Sequence, residues 1–174
     1  MIEFKDVSFT YDSGNKNAGI YNINLNINAG EVVVFCGESG CGKTTISRLI
    51  NGLIPGYYSG NLTGSVIVNE HEISKNSINE LSQYVGSVFQ NPRTQFFNVD
   101  STSEIAFACE NFGISREEIC RRIGKVTKEL NIKDLLDKSL FSMSGGEKQK
   151  IACASAAVMA VSYTHLTLPT NREV

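Results

Sequence analysis

The sequence has no tryptophan and only three prolines, and its charged residues amount to 20% with a formal net charge of −2. No strong global field is therefore available to hold nucleic acid or an anionic membrane surface, and nucleic acid is not an expected partner. Long hydrophobic runs are missing too. The longest small-apolar stretch, residues 151–161, is eleven residues and carries Ser155, against the ~20 that a membrane-spanning helix needs. No basic and apolar leader opens the chain: Met1-Ile2-Glu3-Phe4-Lys5-Asp6 already alternates as a strand does, so secretion is not expected. The five cysteines, Cys36, Cys41, Cys109, Cys120 and Cys153, lack CxxC and Cys/His ligand spacing. This speaks against a disulfide framework or a zinc site and for free thiols in the cytoplasm. What remains is 174 residues, 41% of them hydrophobic, which is enough for one sizeable core.

Residues 2–11 and 20–28 alternate apolar and polar side chains; in the second, Ile23, Leu25 and Ile27 face one way and four asparagines the other. Two half-buried strands of an antiparallel sheet are predicted, joined by the turn-rich Asp12-Ser13-Gly14-Asn15-Lys16-Asn17. Residues 32–36 are apolar on both faces, as a parallel strand buried between helices would be. After a glycine-rich loop, Ile46, Leu49, Ile50 and Leu53 recur at helical spacing, predicting a helix over 44–53 that Pro55-Gly56 ends. The pattern then predicts a strand at 64–69, a short helix at 77–83 and a strand at 85–90 that runs into a loop at Pro92. The middle third reads as helical. Ser115 and Glu118 are spaced as a capping box ahead of Ile119, Ile123, Val126 and Leu130, one face of a helix ending near Asn131. Arg121, Arg122, Lys125 and Lys128 interleave with Glu117, Glu118 and Glu129 as on a solvated face, and His71 reads as a surface histidine in a polar turn.

Gly37-Glu38-Ser39-Gly40-Cys41-Gly42-Lys43-Thr44 fits G-x-x-x-x-G-K-[ST] between the predicted buried strand and a helix. The chemistry follows from the residue types. Glycines let successive backbone N–H groups turn inward, and the following helix offers its unpaired N–H groups and positive dipole end to the same anion. Lys43 would reach the β- and γ-phosphates of a nucleotide, and the Thr44 hydroxyl suits Mg²⁺, which takes one or two protein oxygens beside phosphates. A second cluster, Ser142-Met143-Ser144-Gly145-Gly146-Glu147-Lys148-Gln149, again sets Ser and two glycines at a helix start, with Ser144 and Glu147 spaced as a capping box.

Together the two motifs resemble the ATP-binding subunit of ABC transporters, over roughly residues 1–160. The resemblance implies an α/β P-loop NTPase with an antiparallel β subdomain, a parallel-sheet core and a helical subdomain at about residues 95–145. It implies ATP and Mg²⁺ as cofactors, held by Gly37, Ser39, Gly40, Cys41, Gly42, Lys43, Thr44 and Thr45. In that family the second cluster is the signature motif, here MSGGEKQ where the commoner form begins Leu-Ser-Gly-Gly-Gln. By resemblance, Ser144, Gly145 and Gly146 touch the γ-phosphate of ATP held by a second ATP-binding subunit, in a head-to-tail homo- or heterodimer. Gln90 falls where the family has the glutamine that touches Mg²⁺ and the attacking water, and Tyr11 where it has the aromatic that stacks on adenine. The run Gln90-Asn91-Pro92-Arg93-Thr94-Gln95-Phe96-Phe97 looks most like the energy-coupling-factor branch, importers of vitamins and transition-metal ions. Transmembrane subunits and a peripheral place on the cytoplasmic membrane face are implied as well.

The sequence departs from this pattern at its end. About twenty residues past the signature the family has an apolar strand ending in Asp-Glu, yet after Glu147 the only carboxylate side chain here is Glu173. The expectation is a C-terminally truncated domain whose longer parent hydrolyses ATP while residues 1–174 bind it with weak or no turnover. Residues 161–170 read as translated transposase-type sequencing-adapter DNA, so 161–174 is expected to be a non-native tail. Two alternatives stay open at this point: a soluble ABC-type ATPase of DNA repair or translation, and an ATP-binding module without hydrolysis.

Overall fold

Alternating side chains build the first part of the chain into an antiparallel sheet. The structure, a computed structural model, describes residues 1–12 and 18–159; the turn at 13–17 and the expected tail lie outside the described residues. β1 (Ile2–Tyr11) pairs with β2 (Gly19–Ile27) on one side and β3 (Gly60–Val68) on the other, and a short β4 (His71–Glu72) completes the order β2-β1-β3-β4. The four asparagines Asn22, Asn24, Asn26 and Asn28 are exposed, while Ile23, Leu25 and Ile27 are half-buried on the opposite face. Phe4 and Val7 are three residues apart, a spacing that would put them on opposite faces of a regular strand. A register shift between them, with Asp6 at φ +47°, brings both into the core. Asn24 serves this irregularity: its Oδ1 accepts from the Asp6 N–H at 2.9 Å, and its Nδ2 donates to the Asp6 carboxylate at 2.9 Å.

One face of the sheet is covered by α1 (Lys43–Ile50), the short α2 (Leu53–Gly56) and α3 (Ile78–Leu81). Leu49, Ile54 and Leu81 bury against Phe4, Phe9, Val66 and Val68, each burial worth about 1.5–3 kcal/mol. The helix expected over 44–53 stops earlier, at Ile50, with Asn51 as its cap. Gly52 is the reason: its φ is +75°, and a Cβ there would lie 2.5 Å from Leu81 Cδ1. The strand predicted at 64–69 is longer, β3 starting at Gly60. His71 is half-buried, stacked on Tyr84 at 4.4 Å between ring centroids, rather than free on the surface.

Two predicted strands do not form among the described residues. Residues 32–36 belong to no sheet, and Val32 and Val34 are 66% and 76% exposed. An apolar run has the composition of a buried strand, but a strand exists only through a neighbour that takes its N–H and C=O groups. Residues 85–90 are also outside any sheet. There a side chain replaces the neighbouring strand: Gln95 accepts from the Phe89 N–H at 3.0 Å and donates to the Ser87 carbonyl at 3.3 Å.

The chain divides into two compact units between Val85 and Gly86. In the second, α4 (Ser101–Asn111), α5 (Arg116–Glu129) and α6 (Gly145–Ala157) enclose a separate core of Ile105, Cys109, Ile123, Val126, Ile151 and Val158. Asp100 caps α4 by accepting from the Ser103 N–H at 2.9 Å. Ile119, Ile123 and Val126 are buried as the spacing predicts. The capping box of α5 is only half made. Ser115 accepts from the Glu118 N–H at 3.4 Å, but the Glu118 carboxylate turns instead to Arg121 at 2.6 Å and Arg122 at 2.7 Å. Two guanidinium partners outcompete one neutral N–H, and hydrogen bonds from Arg121 and then Arg122 hold the Glu118 carboxyl down at about 2. No helix among the described residues is long and apolar enough to cross a membrane.

Candidate nucleotide-binding site

The glycine-rich loop opens directly into α1, and its glycines are there for backbone reasons. Gly37, Gly40 and Gly42 have φ of +149°, +88° and +98°, values that side-chain-bearing residues rarely adopt. A Cβ on Gly42 would also lie 2.5 Å from Ile20 Cγ2. Gly42 is the N-cap and brings no side chain to cap the first turn of α1. The Ile46 N–H, bonded to the Gly42 carbonyl at 3.0 Å, makes the first helical bond. Lys43 curls back over the loop: its Nζ donates to the carbonyls of Gly37 and Glu38, each at 2.7 Å, and meets Cys41 Sγ at 3.3 Å. The two carbonyls carry no charge to compensate the ammonium. An anion placed over the loop would find a positive helix end, open N–H groups and a cation within reach. Gly37, Ser39, Gly40, Cys41 and Thr44 are exposed to it, whereas Thr45 is buried.

Tyr11 lies beside this helix. Its Oη is 3.1 Å from Thr45 Oγ1 and accepts from Arg48 Nη1 at 3.1 Å. Phe9 and Tyr58 meet its ring edge-on, at 4.8 and 6.2 Å between centroids. The structure thus brings together Tyr11 and the first turn of α1, positions about thirty residues apart in sequence.

In the second unit, Ser144, Gly145 and Gly146 are exposed at the start of α6. The predicted capping box closes: Ser144 accepts from the Glu147 N–H at 3.3 Å, and Glu147 Oε2 accepts from the Ser144 N–H at 2.8 Å. Hydrogen bonds from Ser144, side chain first and backbone second, hold the Glu147 carboxyl below its ordinary value. Neither glycine has a positive φ, and a Cβ on either would meet nothing within 4 Å. Among the described residues nothing gives these glycines a steric reason to be there.

Gln90 is exposed, and the segment around it is held by residues that motif reading passes over. Gln95 pins the backbone on its N-terminal side. On the other side the buried Glu104 accepts from the N–H groups of Phe97 at 3.0 Å and Asn98 at 2.8 Å. Asn91 Oδ1 accepts from the Arg93 N–H at 3.1 Å, tightening the turn Pro92–Thr94. The signal for Glu104 was a carboxylate sharing a helix face with Ser101 and Ile105. For Gln95 no sequence signal beyond its place after an Asn-Pro turn existed.

A helix entered through an uncapped glycine loop that carries lysine, packed on a sheet, defines a P-loop domain. Comparison with known proteins narrows this. The ABC transporter family matches residues 20–168. A Treponema denticola protein named as an ABC transporter ATP-binding protein is 47% identical over 171 residues, 98% of this chain and 35% of its own length. A Pyrococcus horikoshii protein with the same description is 42% identical over 99% of the chain and 60% of its own length. The chain thus spans about a third to three-fifths of these relatives. Among solved structures, cbiO1 from Clostridium perfringens, part of the ABC transporter complex cbiONQ, superposes with a TM-score of 0.78 at 28% identity, covering 91% of this chain and 61% of that one. A dimeric ATP-binding cassette in a post-hydrolysis state, bound to ADP and Pi, gives 0.73 at 26% identity over 92% of this chain and 70% of that one. The chain belongs to the ABC transporter family, and its fold is that family's P-loop ATPase fold.

Proposed function

We propose that this chain is the nucleotide-holding part of an ATP-binding subunit that powers import of a small solute, of the vitamin or metal-ion class. The observation that carries it is the loop from Gly37 to Lys43, with a helix start that Gly42 leaves without a side-chain cap and a lysine ammonium resting on two backbone carbonyls. The loop amides and Lys43 would hold the phosphates of ATP. The exposed Thr44 hydroxyl and the Gln90 amide are the oxygen donors that would serve Mg²⁺, which neutralises charge developing on the transferred phosphoryl group. Both are hard oxygen ligands, which fits that ion. Tyr11 would stack on the adenine. Ser144, Gly145 and Gly146 would close on the γ-phosphate of a nucleotide held by a second subunit, which the bare approach to those glycines favours. The import reading rests on the likeness to cbiO1 and on the wording of residues 90–97. A membrane subunit on the cytoplasmic face would find exposed apolar side chains at Phe97, Val99 and Phe141 in the second unit. Hydrolysis is proposed for the longer protein.

Calorimetric titration with Mg-ATP is the test. Binding that disappears in Lys43→Ala, with the far-UV spectrum unchanged, is expected; a chain that is folded and takes up no Mg-ATP overturns the proposal.

A further inference from the structure

We infer that Arg48 is a positioning residue for the nucleotide base: through the Tyr11 phenol it fixes the aromatic ring that receives adenine, and so raises affinity for ATP without touching the phosphates. The inference deepens the proposed function and rests on its reading of Tyr11 as the adenine platform.

Arg48 stands in the last turn of α1, where a solvated arginine would extend into water and serve the helix dipole. Here it is half-buried and committed to two aromatic rings. Its guanidinium carbon lies 4.0 Å from the Tyr58 ring centroid, and its Nη1 donates to Tyr11 Oη at 3.1 Å. Among the described residues no carboxylate forms an ion pair with it. Stacking on Tyr58 holds the guanidinium plane and aims the N–H at the phenol. The same phenol oxygen is 3.1 Å from Thr45 Oγ1, whose side chain is buried in the turn that begins with Lys43. Tyr11 ends β1, and beyond the edge-on packing of Phe9 and Tyr58 its ring keeps some freedom about its side-chain torsions. Two bonds from α1 to one oxygen remove that freedom. They also tie the ring to the helix whose opposite end faces the phosphates, so the spacing between base and phosphate sites is set before a nucleotide arrives. An ordered side chain need not be ordered on binding, a saving that corresponds to about three- to tenfold in affinity.

The test uses calorimetry on the 174-residue chain with two ligands, Mg-ATP and Mg-tripolyphosphate, the second lacking a base. Arg48→Gln is expected to weaken Mg-ATP about three- to tenfold and leave tripolyphosphate unchanged. Tyr11→Phe, which keeps the ring and removes the phenol, should do the same, and the double variant should be no worse than either single one. If Arg48→Gln binds ATP like the wild type, weakens both ligands alike, or adds fully to Tyr11→Phe, the inference is overturned. Should Arg48→Gln prove unfolded by circular dichroism, Arg48→Lys keeps a donor and a charge; an intermediate loss confined to ATP supports the inference and an equal loss for both ligands defeats it. Failure of the underlying reading looks different. A wild-type chain that binds neither ligand removes the nucleotide site, and a Tyr11→Ala variant with undiminished preference for ATP over tripolyphosphate removes the adenine platform.

Discussion

Single side chains carry more of this molecule than its motifs suggest. The Glu104 carboxylate is 4% exposed and accepts backbone N–H groups from Phe97 and Asn98. Glu104→Ala would leave both part-buried donors without this partner, at a cost of about 1 kcal/mol in urea unfolding. Glu104→Gln keeps one acceptor oxygen and should cost about half as much. Glu118 gives the pH dependence its sign. Its folded carboxyl sits at about 2 against an ordinary 4.5, so between those values the unfolded chain takes up the proton first. The contribution is complete above the ordinary carboxylate range and is lost as pH falls toward 2. Glu118→Gln should therefore flatten the stability profile measured between about pH 5 and pH 3. The role of Glu118 could not be read from spacing. Ser115 and Glu118 have the separation of a capping box, but which partner the carboxylate chooses depends on where Arg121 and Arg122 reach.

At the scale of elements, α6 poses stability against function. Gly145 and Gly146 have ordinary backbone angles and open space around them. Gly146→Ala is expected to raise the melting temperature slightly, because alanine loses less backbone freedom than glycine on entering a helix. The proposed contact with a partner's γ-phosphate should be lost in the same variant, measured as ATP-driven dimer formation by the longer protein. Unchanged dimer formation would show that the glycines serve no nucleotide. Elements held together by local chemistry were readable in advance: α5 from its apolar spacing, β1 and β2 from alternation, the start of α6 from Ser144 and Glu147. The strands predicted at 32–36 and 85–90 were not of that kind. Both runs have strand composition, but composition does not name the partner of their hydrogen bonds, and around 87–89 that partner is the side chain of Gln95 rather than a strand.

For the whole molecule, two units have separate cores, and each carries some of the proposed residues: loop, Tyr11 and Arg48 in the first, Gln90, Ser144, Gly145 and Gly146 in the second. Val32, Val34, Phe97, Val99 and Phe141 are all more than 60% exposed, and large apolar side chains left open in this way promote association. Light scattering should show the 174-residue chain self-associating as its concentration rises, and Val32→Lys with Val34→Lys should reduce it; a monodisperse wild type would contradict this. The glycine loop with its lysine and the capped start of α6 were legible in the amino-acid order because each is a contiguous stretch, and such stretches carry their geometry with them. Arg48 beside Tyr58, Glu104 beneath the 97–98 backbone and the bulge that turns Phe4 and Val7 to one face came only with folding. Each joins residues that no local rule places side by side, and their distances follow from how the sheet and helices pack.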